Sequence, residues 1–460
     1  MPTWDHVIVG AGSAGAVVAA RLAQDETSSV LVLEAGPDHT SAAAPAAIGG
    51  RNFYAALAEP ARTWPDLVAR RTSAAEPVPY ARGRGVGGSS SVNAMLALEG
   101  EPGDYDTWRD RFGCQGWGWT DVAPVFGALA GGLRTADEPT PVDRALTLAT
   151  GGDVELAHFT MTADGRRASS ADMFLEPARA LDNLVVRGDA LADRVLFEGD
   201  RAAGLRLADG SEVTAGHVWI CSGAIHSPAI LLRSGLTRAG IGRNLKDHAS
   251  THVTLLLNDR GRLPDVDHLP FTVVRRFSSG AISHDLQMLP MGHLGVTQRG
   301  MLMLGLMQVN SEGAVTLVSD DPNADPAVDF AMFSSPGDLE RLTEGVHELV
   351  RVVRHPAFVS ICDEVVVDEA GTPPEAIDDE WLLSNPGSYV HAAGSCRMGR
   401  PDDPLAVVDS DGTVIGCEGL SVVDASILPD LPRANTYLPT LMVAERMMTR
   451  WRDNQRRSVR

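Results

Sequence analysis

The 460-residue chain contains no apolar run near the roughly 18 residues that a membrane span needs. Its first residues, Met1-Pro2-Thr3-Trp4-Asp5, lack the basic stretch of a secretory signal. The expectation is a cytoplasmic protein without a transmembrane segment. Basic excess is also missing: 39 Lys and Arg stand against 60 Asp and Glu, a formal net charge of -21. That balance argues against a nucleic-acid partner, because a phosphate-binding surface needs excess positive charge. Cysteine is scarce, and Cys114, Cys221, Cys362, Cys396 and Cys417 are odd in number, scattered and without CxxC spacing. Reduced thiols are expected, with neither a disulfide framework nor a metal site. No repeat or low-complexity tract is present. A hydrophobic content of 44% over this length fills one large core or two smaller ones, and two domains are expected.

Glycine is placed with purpose. His6 to Val9 reads as a strand, Gly10-Ala11-Gly12-Ser13-Ala14-Gly15 as a tight turn opening a helix through Ala23, and Ser29 to Leu33 as a second strand ending at Glu34. In such a βαβ unit Gly10 permits the turn, Gly12 lets backbone approach a pyrophosphate, and Gly15 lets helix pack on strand. Glu34 is placed to accept a ribose hydroxyl, which disfavours a 2'-phosphate and hence NADP. A second glycine-rich stretch, Arg82-Gly83-Arg84-Gly85-Val86-Gly87-Gly88-Ser89-Ser90-Ser91-Val92-Asn93, presents unhindered backbone N–H groups to an anion or a flavin.

Between these motifs, Pro37 to Tyr80 reads as a long irregular excursion. Asn183 to Arg187, Arg194 to Phe197 and His217 to Ile220 resemble short strands that return to the first domain. Thr254 to Leu257, Phe271 to Val274, Leu286 to Leu289, Met301 to Val309 and Val315 to Val318 are expected to form the antiparallel sheet of a second, α+β domain. The Met-rich stretch Met301 to Met307 is most simply core. Helical spacing of Leu339, Leu342, Val346, Leu349 and Val353 predicts a helix packed on that sheet.

Four blocks in order make the chain resemble the glucose-methanol-choline (GMC) oxidoreductases. They are Gly10 to Gly15 with Glu34; Arg82 to Asn93 with Asp104-Tyr105-Asp106-Thr107-Trp108; Ser222 to Pro228 with Leu231 to Gly235 and Gly242 to His248; and His391 to Gly399 with Val423 to Pro429 and Asn435 to Thr440. The resemblance implies an α/β fold, with a Rossmann-like FAD-binding domain and an α+β substrate domain built on an antiparallel sheet. It divides the chain into a discontinuous FAD domain (1–130, 176–248, 386–460) and a substrate domain (131–175, 249–385). Cofactor contacts carry over onto Gly10, Gly12, Ser13, Ala14, Gly15, Glu34, Ala35, Arg82, Val86, Gly87, Gly88, Ser89, Asn93 and Ala94. Further contacts carry over onto Ala192, Asp424, Ala425, Asn435, Thr436 and Thr440. Val92 stands where flavinylated members have histidine, so the implied FAD is noncovalent; core packing of Val92 fits equally. Asp424 reads as a turn cap as readily as a cofactor contact when taken without the family.

Alcohol oxidation needs a base beside the flavin, and histidine titrates in the right range. The resemblance makes His391 that base during hydride transfer to flavin N5, and Asn435, a neutral amide, the group that holds the substrate oxygen. A turn asparagine is the bland reading of Asn435. His226 and His248 lie in family blocks but off the catalytic positions, so structural roles are expected, and Cys396 is assigned to the framework. Tyr389, Val390, Ser395 and Tyr437 depart from the family pattern around the site. The chain is compact for the family, which implies a reduced cap; the expected substrate is a small-molecule or bulky alcohol, the open site suiting a bulky or partner-bound one, with the electron acceptor unknown. A branch associated with the peptide redox cofactor mycofactocin is similar in size. An FAD-containing lyase without net redox, a binding flavoprotein and an oxygen-using oxidase remain as alternatives. A non-oxygen acceptor is favoured because Tyr389 is placed to crowd the oxygen-reactive face.

Overall fold

The computed structural model describes residues 3–136 and 138–458. Strand Thr3–Val9 lies between Val30–Leu33 and Glu212–Ile220, and Leu184–Arg187 extends the row beyond Val30–Leu33, all parallel. Leu420–Val422 also runs parallel to Glu212–Ile220, whereas Arg201–Leu207 and Ala192–Glu198 add an antiparallel flank. Helix Ser13–Leu22 is Ala- and Val-rich around nearly its whole circumference. Such a helix must be buried on more than one side. It packs between this sheet and the final helix, Tyr437–Ser458.

A second sheet is antiparallel, in the order Cys362–Val366, Ala249–Leu257, Arg299–Leu306, Leu286–Met291, Val273–Phe277 and Glu155–Leu156, with Gly387–Ser388 paired onto Ala249–Leu257. Helix Pro336–Val353 covers it with Leu342, Val346, Leu349 and Val353 buried. The strand after Phe271 begins later than its apolar run and continues through Arg275 and Arg276, two charged residues that hydropathy alone rejects. Their guanidinium groups are paired with Asp153 and Glu348, and with Glu101 and Glu155.

The Val315 to Val318 expectation is corrected. The strand there is Gly313–Thr316, and it belongs to a third sheet with Arg243–Leu245, Ala327–Asp329, Val68–Arg70 and Val78–Pro79. Apolar alternation identifies a half-buried strand but carries no information about its partner. The Pro37 to Tyr80 excursion therefore contributes two strands to that sheet and two short helices, Ala46–Gly49 and Phe53–Leu57.

Candidate active site

A cavity of about 550 Å³ runs from the first βα turn to the inner face of the antiparallel sheet. Gly10, Gly12, Ser13, Ala14, Glu34, Ala35 and Ala192 line one end; Arg82, Gly88, Ser89, Asn93, Ala94, Asp424, Ala425, Thr436 and Thr440 line its middle; and His391 and Asn435 lie along the same wall. Gly15, Val86 and Gly87 do not line it. A Cβ on Gly15 would fall 1.9 Å from the Gly10 carbonyl oxygen, so its task is helix-to-turn packing. Val86 and Gly87 donate their backbone N–H groups to Pro37 and Ala11, tying the second glycine stretch onto the first.

The lining suits a dinucleotide. Helix Ser13–Leu22 has no side-chain cap and no acidic residue in its first turn, so its N-terminal N–H groups are available to an anion. The Glu34 carboxylate lines the cavity while accepting N–H groups from Ala11, Gly36 and Gly85 at 2.8 to 2.9 Å, so it also pins three loops together. Asn93 is oriented: its Oδ1 accepts from Met95 N and the buried Arg167 guanidinium, leaving the Nδ2 donors for the cavity. Asp424 caps a turn and also reaches the cavity. It caps the turn at Ser426, accepts from Gly223 N and Ser227 Oγ, and lines the cavity. Val92 is buried against Ile48 and Ala56, as packing predicts, with its remaining face on the cavity.

At the other end the antiparallel sheet presents one face. Period-two alternation turns Ser250 and His252 inward on one strand, Met301 and Met303 on the next, and Leu289 and Met291 on the third. Met301 and Met303 thus form a cavity wall, which corrects their reading as core. Gly305 leaves the space that Tyr389 fills, since a Cβ there would lie 2.2 Å from the Tyr389 ring. Burial raises the Tyr389 phenol far above its ordinary pKa, so it stays protonated.

His391 is held on three sides. Its backbone N–H donates to Asp247 Oδ1 at 2.8 Å, and Asp247 Oδ2 also accepts from Tyr80 OH and Ser388 OH. This anchor helps to hold Val390, a β-branched residue at φ 56°, in the left-handed region immediately before the histidine. His391 Nδ1 lies 2.9 Å from His248 Nδ1, and its Nε2 lies 3.3 Å from Asn435 Nδ2. Burial, then His248, then the Arg82 guanidinium hold the His391 imidazole well below the usual histidine range; burial takes His248 to about 3. Both rings are therefore neutral at physiological pH. Asn435 Nδ2 can only donate, so its 3.3 Å contact makes His391 Nε2 the acceptor and puts the proton of the neutral ring on Nδ1. His248 Nδ1 then accepts from His391 Nδ1–H, and His391 keeps a lone pair on Nε2 beside Asn435.

His248 thus contacts His391 directly, a placement its expected structural role did not specify. Continuing the alternation of Ala249–Leu257 back by one residue puts His248 on the face of Ser250 and His252, a signal the sequence carried. His226 lines the nucleotide end, stacked on Trp64 at 4.0 Å between ring centres and facing Asp325. Trp64, Phe53, Tyr54 and Arg71 reach the cavity from the irregular excursion, where no periodicity marked them. Cys396 is fully buried, and burial raises its thiol well above the ordinary value, as a framework residue requires.

The N- and C-terminal family models described as GMC oxidoreductase match residues 4–250 and 309–444. The chain is 31% identical to 5-(hydroxymethyl)furfural oxidase of Methylovorus sp. (strain MP688), covering 96% of this chain and 98% of that protein. It is 32% identical to oxygen-dependent choline dehydrogenase of Paraburkholderia xenovorans (strain LB400), covering 98% and 95%. Pyridoxine 4-oxidase from Mesorbium loti superimposes with a TM-score of 0.87 at 26% identity, over 98% of this chain and 99% of that one. The chain belongs to the GMC oxidoreductase family and is an FAD-dependent, alcohol-oxidising enzyme. The alignment with the furfural oxidase spans 523 positions against 460 residues here, so that relative carries segments this chain lacks. Among the described residues no helix is long and apolar enough to cross a membrane.

Proposed function

We propose that the enzyme oxidises a primary alcohol to a carbonyl compound with noncovalently bound FAD, His391 acting as base and Asn435 positioning the substrate oxygen. The observation that carries this reading is His391 on the cavity wall, with its Nδ1 2.9 Å from His248 Nδ1 and its Nε2 3.3 Å from Asn435 Nδ2. FAD, when bound, supplies the acceptor for the hydride that leaves the alcohol carbon. His391 Nε2 takes the hydroxyl proton, and Asn435 Nδ2 donates to the same oxygen. Asp247 fixes the His391 backbone, and His248 fixes its tautomer. Arg167, through Asn93, holds amide donors toward the cavity middle, and the helix N-terminus at Ser13 receives the pyrophosphate.

The names of the relatives, which include an alcohol oxidase and an oxygen-dependent dehydrogenase, favour oxygen as acceptor. The position of Tyr389 beside His391, with ring centres 5.2 Å apart, favours a crowded site and a non-oxygen acceptor. Anaerobic addition of a primary aromatic alcohol should bleach the flavin, and the rate of its recovery on admitting air decides between the acceptors. Acid precipitation should release the chromophore, and colour left on the pellet would overturn noncovalent binding. In His391→Ala the bleaching should slow by about 10²–10⁴-fold, the usual worth of a positioned acid-base group. Bleaching at the wild-type rate in a fully loaded variant would remove His391 from the role of base.

A further inference from the structure

The carboxylates that line the cavity, Glu34 and Asp424, both lie toward the nucleotide-binding fold, and both are occupied by backbone N–H groups. The sheet end, among the described residues, has no lining carboxylate. It does have a cation. Arg71, directly after the Val68–Arg70 strand, lines the cavity and makes one hydrogen bond, from Nη1 to the Pro386 carbonyl at 2.7 Å. Its Nε is buried without a partner, and no acidic side chain of the described residues lies within ion-pair distance. The second lining arginine of this region, Arg82, is committed to Val390 O and Ser89 Oγ. Nε is sealed from the cavity, so the donor a ligand can reach is Nη2, on a half-buried guanidinium whose charge no acid offsets.

The register places the Pro386 carbonyl relative to the chemistry. Ser250 pairs with Gly387, so Pro386 stands level with Thr251, three residues along the strand direction from His248. At about 3.3 Å per residue the Pro386 carbonyl that holds the guanidinium stands roughly 10 Å along the strand direction from the His248 backbone. The walls between are Met291, Met301, Met303, Phe53 and Tyr54, which accept an apolar, polarisable body.

We propose that Arg71 is a specificity residue that takes the carboxylate of a hydroxymethyl-substituted aromatic or similarly sized acid, the alcohol at the far end reaching His391. This rests on the alcohol oxidation proposed above and names its substrate class. A cationic alcohol such as choline meets a guanidinium at this end where it needs an anion.

The test compares 4-(hydroxymethyl)benzoate with its methyl ester in wild type, Arg71→Met and Arg71→Lys, each checked for FAD content and melting temperature. Anaerobic flavin bleaching gives the ratio of limiting rate to Kd for each alcohol, and the perturbation of the flavin spectrum by benzoate gives binding without turnover. Wild type should prefer the acid to the ester about ten- to a hundredfold, the worth of a charge-assisted contact. Arg71→Met should abolish that preference chiefly through Kd and weaken benzoate by the same factor. Arg71→Lys should restore part of both. If Arg71→Met binds benzoate as tightly as wild type, or wild type binds none, the assignment of Arg71 is overturned whatever the alcohols do. If no alcohol bleaches the flavin while benzoate still binds in an Arg71-dependent way, the carboxylate site stands and the proposed oxidation falls.

Discussion

Replacing His248 with phenylalanine keeps most of the ring volume in a fully buried position and deletes one atom that matters, the Nδ1 facing His391 at 2.9 Å. His391 Nδ1–H is then left without an acceptor in a dry site, at a cost of about 1–3 kcal/mol. That cost is relieved only by moving the proton to Nε2, where it destroys the lone pair the substrate hydroxyl needs. Each 1.36 kcal/mol is tenfold in rate, so flavin reduction should slow by about 10- to 100-fold. Stopped-flow reduction on protein saturated with FAD reads this loss. His248→Gln, which keeps an acceptor, should recover part of the rate. A fully loaded phenylalanine variant with the wild-type rate would refute the tautomer argument.

Asn435→Ala should slow reduction less than His391→Ala, because it removes a hydrogen bond of about 0.5–1.5 kcal/mol and no titrating group; a lost pH dependence in Asn435→Ala would reverse the two roles. Glu34→Ala should weaken FAD by about ten- to a hundredfold and also lower the melting temperature of the FAD-free protein, because the carboxylate holds Ala11, Gly36 and Gly85; an unchanged melting temperature would confine Glu34 to the ligand. His217 is half-buried against Trp219 and Trp451, and that desolvation takes it to about 3, so the folded state keeps it neutral while the unfolded chain protonates near 6.5. Its stabilisation is full above about pH 6.5 and lost as pH falls toward 3, amounting to about 2 kcal/mol by pH 5. Denaturant titrations at pH 7 and pH 5 should show that loss shrink by this amount in His217→Gln relative to wild type, and an equal loss in both would contradict the assignment.

The first βα unit was readable because every constraint on it is local. A strand, a turn that requires Gly10, a helix that requires Gly15 against it, and an acid at the end of the next strand all fall within Thr3 to Glu34. His391 and Asn435, the proposed base and positioning group, could be nominated for another reason: they lie in compact motifs whose order matches a family. Hydropathy located most of the antiparallel strands but not Val273–Phe277 to its end, since the charges of Arg275 and Arg276 are neutralised by acids distant in the chain. Nor did it assign Gly313–Thr316 to its sheet, because partner choice depends on edges that apolar alternation does not describe. Tertiary structure alone decided the environment of the site. The approach of His248 to His391 spans 143 residues, the delivery of Arg71 to the sheet end depends on a strand hidden in an irregular stretch, and the turning of Met301 and Met303 from core to cavity wall depends on what faces them. Sequence specifies which groups a chain owns and the local geometry they share with near neighbours. Burial, tautomer and unpaired charge are properties of surroundings, and those exist only once distant segments have packed.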